Sequence, residues 1–231
     1  MFDASPRLFA ACAVGLTLLL SPTASAEDDG ESAGLPVGTN VVPGKNFQLP
    51  VVNGWQDMRK WGPKKWVGDK AKPEDQKKLV VVSFFATWCE PCKKEMPELV
   101  RLYDTYKDQG LGVMLVSIDD RDKTPEVVEL TKTNNVTFPV LHDRYKIVQR
   151  RWEAKRLPYL LMLGPDGNIK VVHVGYTDEV KANLENEVRT NLGLEPLADK
   201  KDDPVASKGK GKKSKKKKSK KKSKKKAKKS S

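Results

Sequence analysis

The stretch Leu79-Val80-Val81-Val82-Ser83-Phe84-Phe85-Ala86-Thr87-Trp88-Cys89-Glu90-Pro91-Cys92 joins an apolar run to a Cys-x-x-Cys pair. Leu79 to Phe85 has the length and the β-branched, aromatic composition of a buried strand. Beyond the cysteines, Met96, Leu99, Val100, Tyr103 and Tyr106 recur near the helical period, and Gly110 follows as a stop. The pair therefore sits where a strand feeds a helix N-terminus, the arrangement a dithiol needs to cycle between thiol and disulfide.

Each position in the motif has a physical part to play. Unpaired N–H groups and partial positive charge at a helix start favour a thiolate on the first cysteine, so Cys89 is the expected nucleophile. Cys92 lies about one turn further on, within reach of the mixed disulfide that Cys89 forms, and is the expected resolving thiol. Pro91 fits the first helical turn, where its missing N–H has no partner to lose. Pro97 lies deeper, removes a backbone donor and predicts a kink. Glu90 opposes thiolate formation while Lys93 and Lys94 assist it.

Outward from the motif, the hydrophobic period switches repeatedly between strand and helix, which is the mark of an α/β fold. Residues 111–118 read as a second buried strand, and Thr124 and Pro125 as the N-cap and first residue of a helix toward Asn134. Residues 138–141 read as a short extended piece and 143–153 as another helix. Tyr159–Leu163 and Ile169–Val174 flank Pro165-Asp166-Gly167-Asn168 and predict a β-hairpin, and an amphipathic helix over 177–192 closes the pattern. The Trp- and Lys-rich stretch 55–78 is expected as an added loop beside the active site, a surface insertion or a partner-binding element. Trp55, Trp61, Trp66 and Trp152 read as packing or surface residues rather than a cofactor box.

Both ends of the chain have a different character. The apolar run from Leu8 to Leu20, followed by Ala24-Ser25-Ala26, reads as a signal peptide over 1–26 cleaved after Ala26, with an uncleaved anchor as the alternative. Cys12 precedes most of that run and is therefore no lipidation site, so the exported protein keeps only Cys89 and Cys92. Residues 27–46 read as a flexible polar lead-in, 47–194 as one domain with a real core, and 195–231 as a disordered polybasic tail. The formal net charge is +14, and residues 208–231 alone carry sixteen lysines and no acid, so the excess positive charge is all in the tail. With no aromatic side chain between those lysines, the tail offers charge without base readout and excludes specific nucleic-acid recognition. Lipid headgroups, lipopolysaccharide or acidic cell-wall polymer are the anionic surfaces it is expected to attract, a merely solubilising tail being the alternative.

Phe47-Gln48-Leu49-Pro50, Ser83 to Pro97, Val116-Ser117-Ile118-Asp119, Phe138-Pro139-Val140-Leu141, Leu157-Pro158 and Gly164-Pro165-Asp166-Gly167 together resemble the exported TlpA/ResA-like thiol-disulfide oxidoreductases. The resemblance spans about residues 47–194 and implies a thioredoxin fold, a central mixed sheet flanked by helices. It implies a cis Leu157–Pro158 bond facing the dithiol, with Trp88, Pro91, Leu157 and Pro158 shaping a substrate groove. The residue after that proline is usually small and hydroxylated in the family, and here it is Tyr159, which leaves substrate preference open. Thioredoxin's buried Asp is replaced by Ser83, and the resemblance gives Glu95 as the group that exchanges a proton with the resolving thiol. The bland alternative is a solvated helix-surface glutamate paired with lysines. The resemblance further implies protein thiol or disulfide substrates, apocytochrome c among the family's targets, and a membrane electron donor, on the periplasmic or extracytoplasmic face of the membrane.

Other uses of the two cysteines fit less well. A two-residue loop constrains little of the unfolded chain, which argues against a purely structural disulfide. A metal site would need His142 and His173, the only histidines, which have no ligand-like spacing. A thiol peroxidase lacks its usual Pro and Thr frame ahead of Cys89. A polybasic surface adaptor carrying an inert thioredoxin-like domain is the competing class. No nucleotide or flavin motif is present, and no cofactor is expected.

Overall fold

A computed structural model of the chain describes residues 34–197; the leader expected over 1–26 and the lysine run 208–231 lie outside them. In chain order the elements are β1 (Leu49–Pro50), β2 (Lys60–Trp61), β3 (Leu79–Phe85), α1 (Glu90–Tyr106), β4 (Leu111–Ser117), α2 (Thr124–Thr133), β5 (Val140–His142), α3 (Ile147–Arg151), β6 (Tyr159–Leu163), β7 (Ile169–Val174) and α4 (Asp178–Leu192). The order in the five-stranded sheet is β5-β4-β3-β6-β7, with β1 and β2 paired separately. β3 lies parallel to β4 and antiparallel to β6, which makes the sheet mixed, as the resemblance implies. A strand paired on both edges and covered on both faces is largely apolar, and all seven residues of β3 and of β4 are buried, the two serines with their hydroxyls hydrogen-bonded.

Alternation along β3 assigns its two faces. Ser83 bonds to Glu95 of α1, so that face carries α1. α4 lies beside α1, because Arg101 bridges Glu98 and Glu185 and the Tyr106 hydroxyl donates to Glu185 at 2.7 Å. Phe84 faces the other way, against Trp152 and Tyr159, with Phe47 edge-on to Trp152 at 5.2 Å between ring centroids. α1 continues through Pro97, and Gly110, at φ 105, ends the segment in the left-handed conformation that a residue with a Cβ rarely adopts. Among the described residues no helix is long and apolar enough to cross a membrane.

Several expectations need correction. Thr124 is the first residue of α2 rather than its cap, and its hydroxyl donates to the Arg121 carbonyl. The helix expected over 143–153 shrinks to Ile147–Arg151, because the Asp143 carboxylate takes the N–H groups of Ile147 and Gln149 while Lys146 and Glu153 adopt left-handed φ. The described part of the expected flexible lead-in, 34–46, is packed on the domain. There Leu35 and Val41 are buried, the Leu35 N–H donates to the Tyr159 hydroxyl at 2.8 Å, and Val41 N–H donates to the Gly167 carbonyl at 3.0 Å.

The Trp-rich stretch does not flank the active site. Trp55, Trp61 and Trp66 form an edge-to-face cluster with centroids 4.8 to 5.9 Å apart. Trp66 lies over Gly112, at the start of β4, and Gly68 N–H reaches the carbonyl of Pro165 in the β6–β7 turn. That end of the sheet is opposite the one where β3 delivers the cysteines. A Cβ at Gly62 would fall 1.9 Å from the Phe47 carbonyl oxygen, a backbone atom that cannot swing aside. Gly62→Ala is therefore expected to destabilise the protein by about 3 kcal/mol, seen as a lower urea midpoint at an unchanged m-value.

Candidate active site

Where β3 ends, Ala86-Thr87-Trp88 turns the chain into α1, and Cys89 becomes the helix N-cap with extended φ and ψ of −88° and 101°. The Cys89 Sγ accepts the Cys92 N–H at 3.3 Å, one of the four donors a helix start leaves without an intrahelical partner. Cys89 and Cys92 are joined in a disulfide, with Cα atoms 5.3 Å apart. Cys92 is sealed in the core, whereas Cys89 borders a surface groove of about 750 Å³ together with Trp88, Pro91 and Leu157. The two sulfurs are thus unequal: one faces incoming molecules and the other faces only its partner and the core. Glu90 and Lys93, expected to push Cys89 in opposite directions, form an ion pair at 2.6 Å, and Lys93 holds the Glu90 carboxyl below its usual range.

Glu95 is not a solvated surface residue. Its side chain is 1% exposed, one turn after Cys92 on the inward face of α1, and its Oε2 accepts the Ser83 hydroxyl at 2.6 Å. The other oxygen, Oε1, is buried without a hydrogen-bond partner. Burial raises the Glu95 pKa from 4.5 to about 7, and the Ser83 hydrogen bond opposes that rise. A carboxyl that is half protonated near neutrality, beneath a dithiol, is suited to giving and taking a thiol proton. Ser83, noticed in the sequence only as a missing Asp, is the residue that orients this carboxyl.

A second polar centre holds the approach to the cysteines. The Asp119 carboxylate, 2% exposed, accepts the Thr87 N–H at 3.0 Å, the Thr87 hydroxyl at 2.7 Å and the Ser117 hydroxyl at 2.9 Å. In the sequence Asp119 stands out only as the end of Val116-Ser117-Ile118-Asp119; its partner Thr87, two residues before Cys89, shows what the carboxylate does. Asp119→Ala leaves these donors without their acceptor, and a loss of roughly 3 kcal/mol in unfolding free energy is expected from denaturant titration.

The Leu157–Pro158 bond is cis. Leu157 lines the groove, while Pro158 is buried behind it and its carbonyl accepts the Gly175 N–H at 2.8 Å. Tyr159 is fully buried and uses its hydroxyl to hold Leu35, so its bulk lies in the core and not in the groove. Trp88 is the most exposed of the site residues, at 69%. The two histidines are far from forming a ligand set: His142 is buried against the Asp119 carbonyl and His173 pairs with Glu187. Among the described residues no group of three or more His, Cys, Asp or Glu is placed to hold a metal ion.

Known proteins resemble this chain. The chain is 35% identical over 98 residues to the thiol-disulfide oxidoreductase ResA of Oceanobacillus iheyensis, covering 42% of this chain and 50% of that protein. To ResA of Bacillus subtilis it is 28% identical over 169 residues, covering 73% of this chain and 80% of that one. The matched region thus spans between half and four fifths of these relatives' length. A crystal structure of a thioredoxin-family thiol:disulfide interchange protein from Chlorobium tepidum matches with a TM-score of 0.52 at 23% identity, over 69% of this chain and 98% of that one, and shares the fold. Residues 46–172 match the AhpC/TSA family, more than half of the chain, and the chain belongs to that family.

Proposed function

We propose that this protein is an exported thiol-disulfide oxidoreductase that reduces disulfides in extracytoplasmic proteins. The observation that carries the reading is the asymmetry of the Cys89–Cys92 pair, with Cys89 at the groove and Cys92 buried one helical turn before Glu95, itself buried with its pKa raised to about 7. In the reductive direction the Cys89 thiolate attacks one sulfur of a substrate disulfide, and the other substrate sulfur leaves as a thiolate. The Cys92 thiol then loses its proton to the Glu95 carboxylate and attacks Cys89 Sγ, which releases the second substrate thiolate and leaves the Cys89–Cys92 disulfide. Two electrons pass to the substrate, and a dithiol donor at the membrane restores the enzyme. Apocytochrome c is one class of target that this chemistry serves. The leader pattern at 8–26 supports export, and the lysine run supports retention of the enzyme at an anionic surface.

The reading is tested by insulin reduction with dithiothreitol as donor. The full-length chain is expected to accelerate precipitation of the insulin B chain well above the dithiothreitol background, and a rate equal to that background would overturn the proposal.

A further inference from the structure

A serine is out of place in the interior of β3. Ser83 is fully buried, with Leu115 of β4 and Leu160 of β6 opposite it in register, so its neighbours across the sheet are apolar. A buried hydroxyl without a partner is costly, and this one donates to Glu95 Oε2 at 2.6 Å. Burial and that hydrogen bond are the two influences on the ionisation of Glu95. On α1, Lys93 pairs with Glu90, Lys94 is exposed, and Arg101 is taken up by Glu98 and by Glu185 of α4. α4 buries Val180, Leu184 and Val188. The turn between β7 and α4 brings up the Tyr176 phenol, whose pKa is raised by burial and by the charges of Glu98 and Glu95. The Ser83 bond thus occupies one carboxyl oxygen of Glu95 and leaves the other, Oε1, buried and unpaired, one helical turn after Cys92.

We propose that Ser83 is a positioning residue of the resolving step, which holds Oε2 of Glu95 and reserves Oε1 as the oxygen that takes the Cys92 proton, an inference that rests on the oxidoreductase reading above. In that step the Cys92 S–H bond breaks and its proton goes to Oε1. The freed electron pair forms the bond to Cys89 Sγ, and the bond from Cys89 Sγ to the substrate sulfur breaks with its electrons on the departing thiolate. Ser83 acts through Glu95. A hydroxyl donates more strongly to an ionised carboxylate than to a neutral acid, so Ser83 favours the proton-accepting form that burial disfavours. Attack by Cys89 on the substrate precedes this proton transfer and does not draw on it.

The test separates the two chemical steps. The reduced full-length chain and its Ser83→Ala and Ser83→Thr variants are mixed with a peptide carrying one intramolecular disulfide and quenched with acid at intervals. The mixed disulfide and the Cys89–Cys92 disulfide are then read by mass. Ser83→Ala is expected to resolve the mixed disulfide about tenfold more slowly at pH 6 and at an unchanged rate at pH 9. The limb of the pH–rate profile moves up by about one pH unit, the effect of losing a hydrogen bond to a charged group. Each variant is compared with itself at the two pH values, so a general loss of stability does not produce this pattern. Ser83→Thr keeps the hydroxyl and is expected to return the limb to its place. On a Glu95→Gln background, Ser83→Ala is expected to slow resolution no further. An unmoved limb in Ser83→Ala, a limb that Ser83→Thr moves equally far, or a further loss on top of Glu95→Gln would overturn the proposal and leave the oxidoreductase reading intact. A chain that forms no mixed disulfide with the peptide at any pH would contradict both.

Discussion

Cys89→Ser is expected to abolish disulfide reduction, whereas Cys92→Ser retains the first chemical step and stops at the second. The difference follows from placement. Cys89 is the sulfur at the groove, and a serine hydroxyl there is not ionised at neutral pH and does not open a disulfide. In Cys92→Ser the Cys89 thiolate still attacks, but the mixed disulfide has no internal thiol to resolve it and accumulates. Insulin turnover should fall to the dithiothreitol background in Cys89→Ser, which has lost the covalent nucleophile, and in Cys92→Ser to the rate at which dithiothreitol itself opens the mixed disulfide. Only Cys92→Ser should yield a covalent adduct that dithiothreitol releases, visible by non-reducing electrophoresis. Adduct formation by Cys89→Ser and not by Cys92→Ser would reverse the assignment of the two thiols.

Glu95→Gln is expected to affect both stability and turnover, in ways that pH separates. The folded-state pKa of Glu95 is raised to about 7 from 4.5, so the folded protein holds this proton more tightly than the unfolded chain does. Below about pH 4.5 the group is neutral in both states and costs nothing. As pH rises through the window from about 4.5 to 7, the unfolded chain ionises first and folded-state stability falls, and above about pH 7 the full cost is present. At about 1.4 kcal/mol per pKa unit this amounts to roughly 3 kcal/mol. Glutamine cannot ionise, so the oxidised Glu95→Gln protein should lose about that much of the stability difference between pH 4.5 and pH 8. Denaturant titrations of both proteins at the two pH values check it, and equal pH dependence would place the Glu95 pKa near its ordinary value. In turnover the variant can no longer take the Cys92 proton. The resolving step at pH 7 should slow on the order of a hundredfold, and the limb of the pH–rate profile near pH 7 should disappear.

Much of this architecture was legible in the sequence wherever a long, one-period segment carried it. Leu79–Phe85 and its helix follow directly from an apolar run and a 3.6-residue repeat, and the hairpin from Pro165-Asp166-Gly167-Asn168 between two alternating segments. Side-chain competition with the backbone was not legible. The Asp143 carboxylate collects the N–H groups of Ile147 and Gln149 and shortens α3, an outcome that composition over 143–153 does not foretell. The placement of 55–78 was equally hidden, because its strand and turns are only two or three residues long and are fixed by tertiary packing of three tryptophans. At the site, spacing located Cys89 and Cys92 and the family resemblance pointed to Glu95, but the burial of Glu95 and its bond to Ser83 depend on a helix docking over a strand twelve residues earlier in the chain. Tyr159 left substrate preference open because a residue beside a cis proline can point either way; here its ring packs on Phe84, in the core.

The most direct test of the central claim is an equilibrium redox titration of the full-length chain against dithiothreitol and glutathione buffers, with the Cys89–Cys92 disulfide read by alkylation mass shift. The account predicts a reversible two-electron couple with a low potential, near the roughly −270 mV of thioredoxin. A potential near the roughly −120 mV of DsbA would contradict the reductive direction, and the absence of any reversible couple would contradict the oxidoreductase reading altogether.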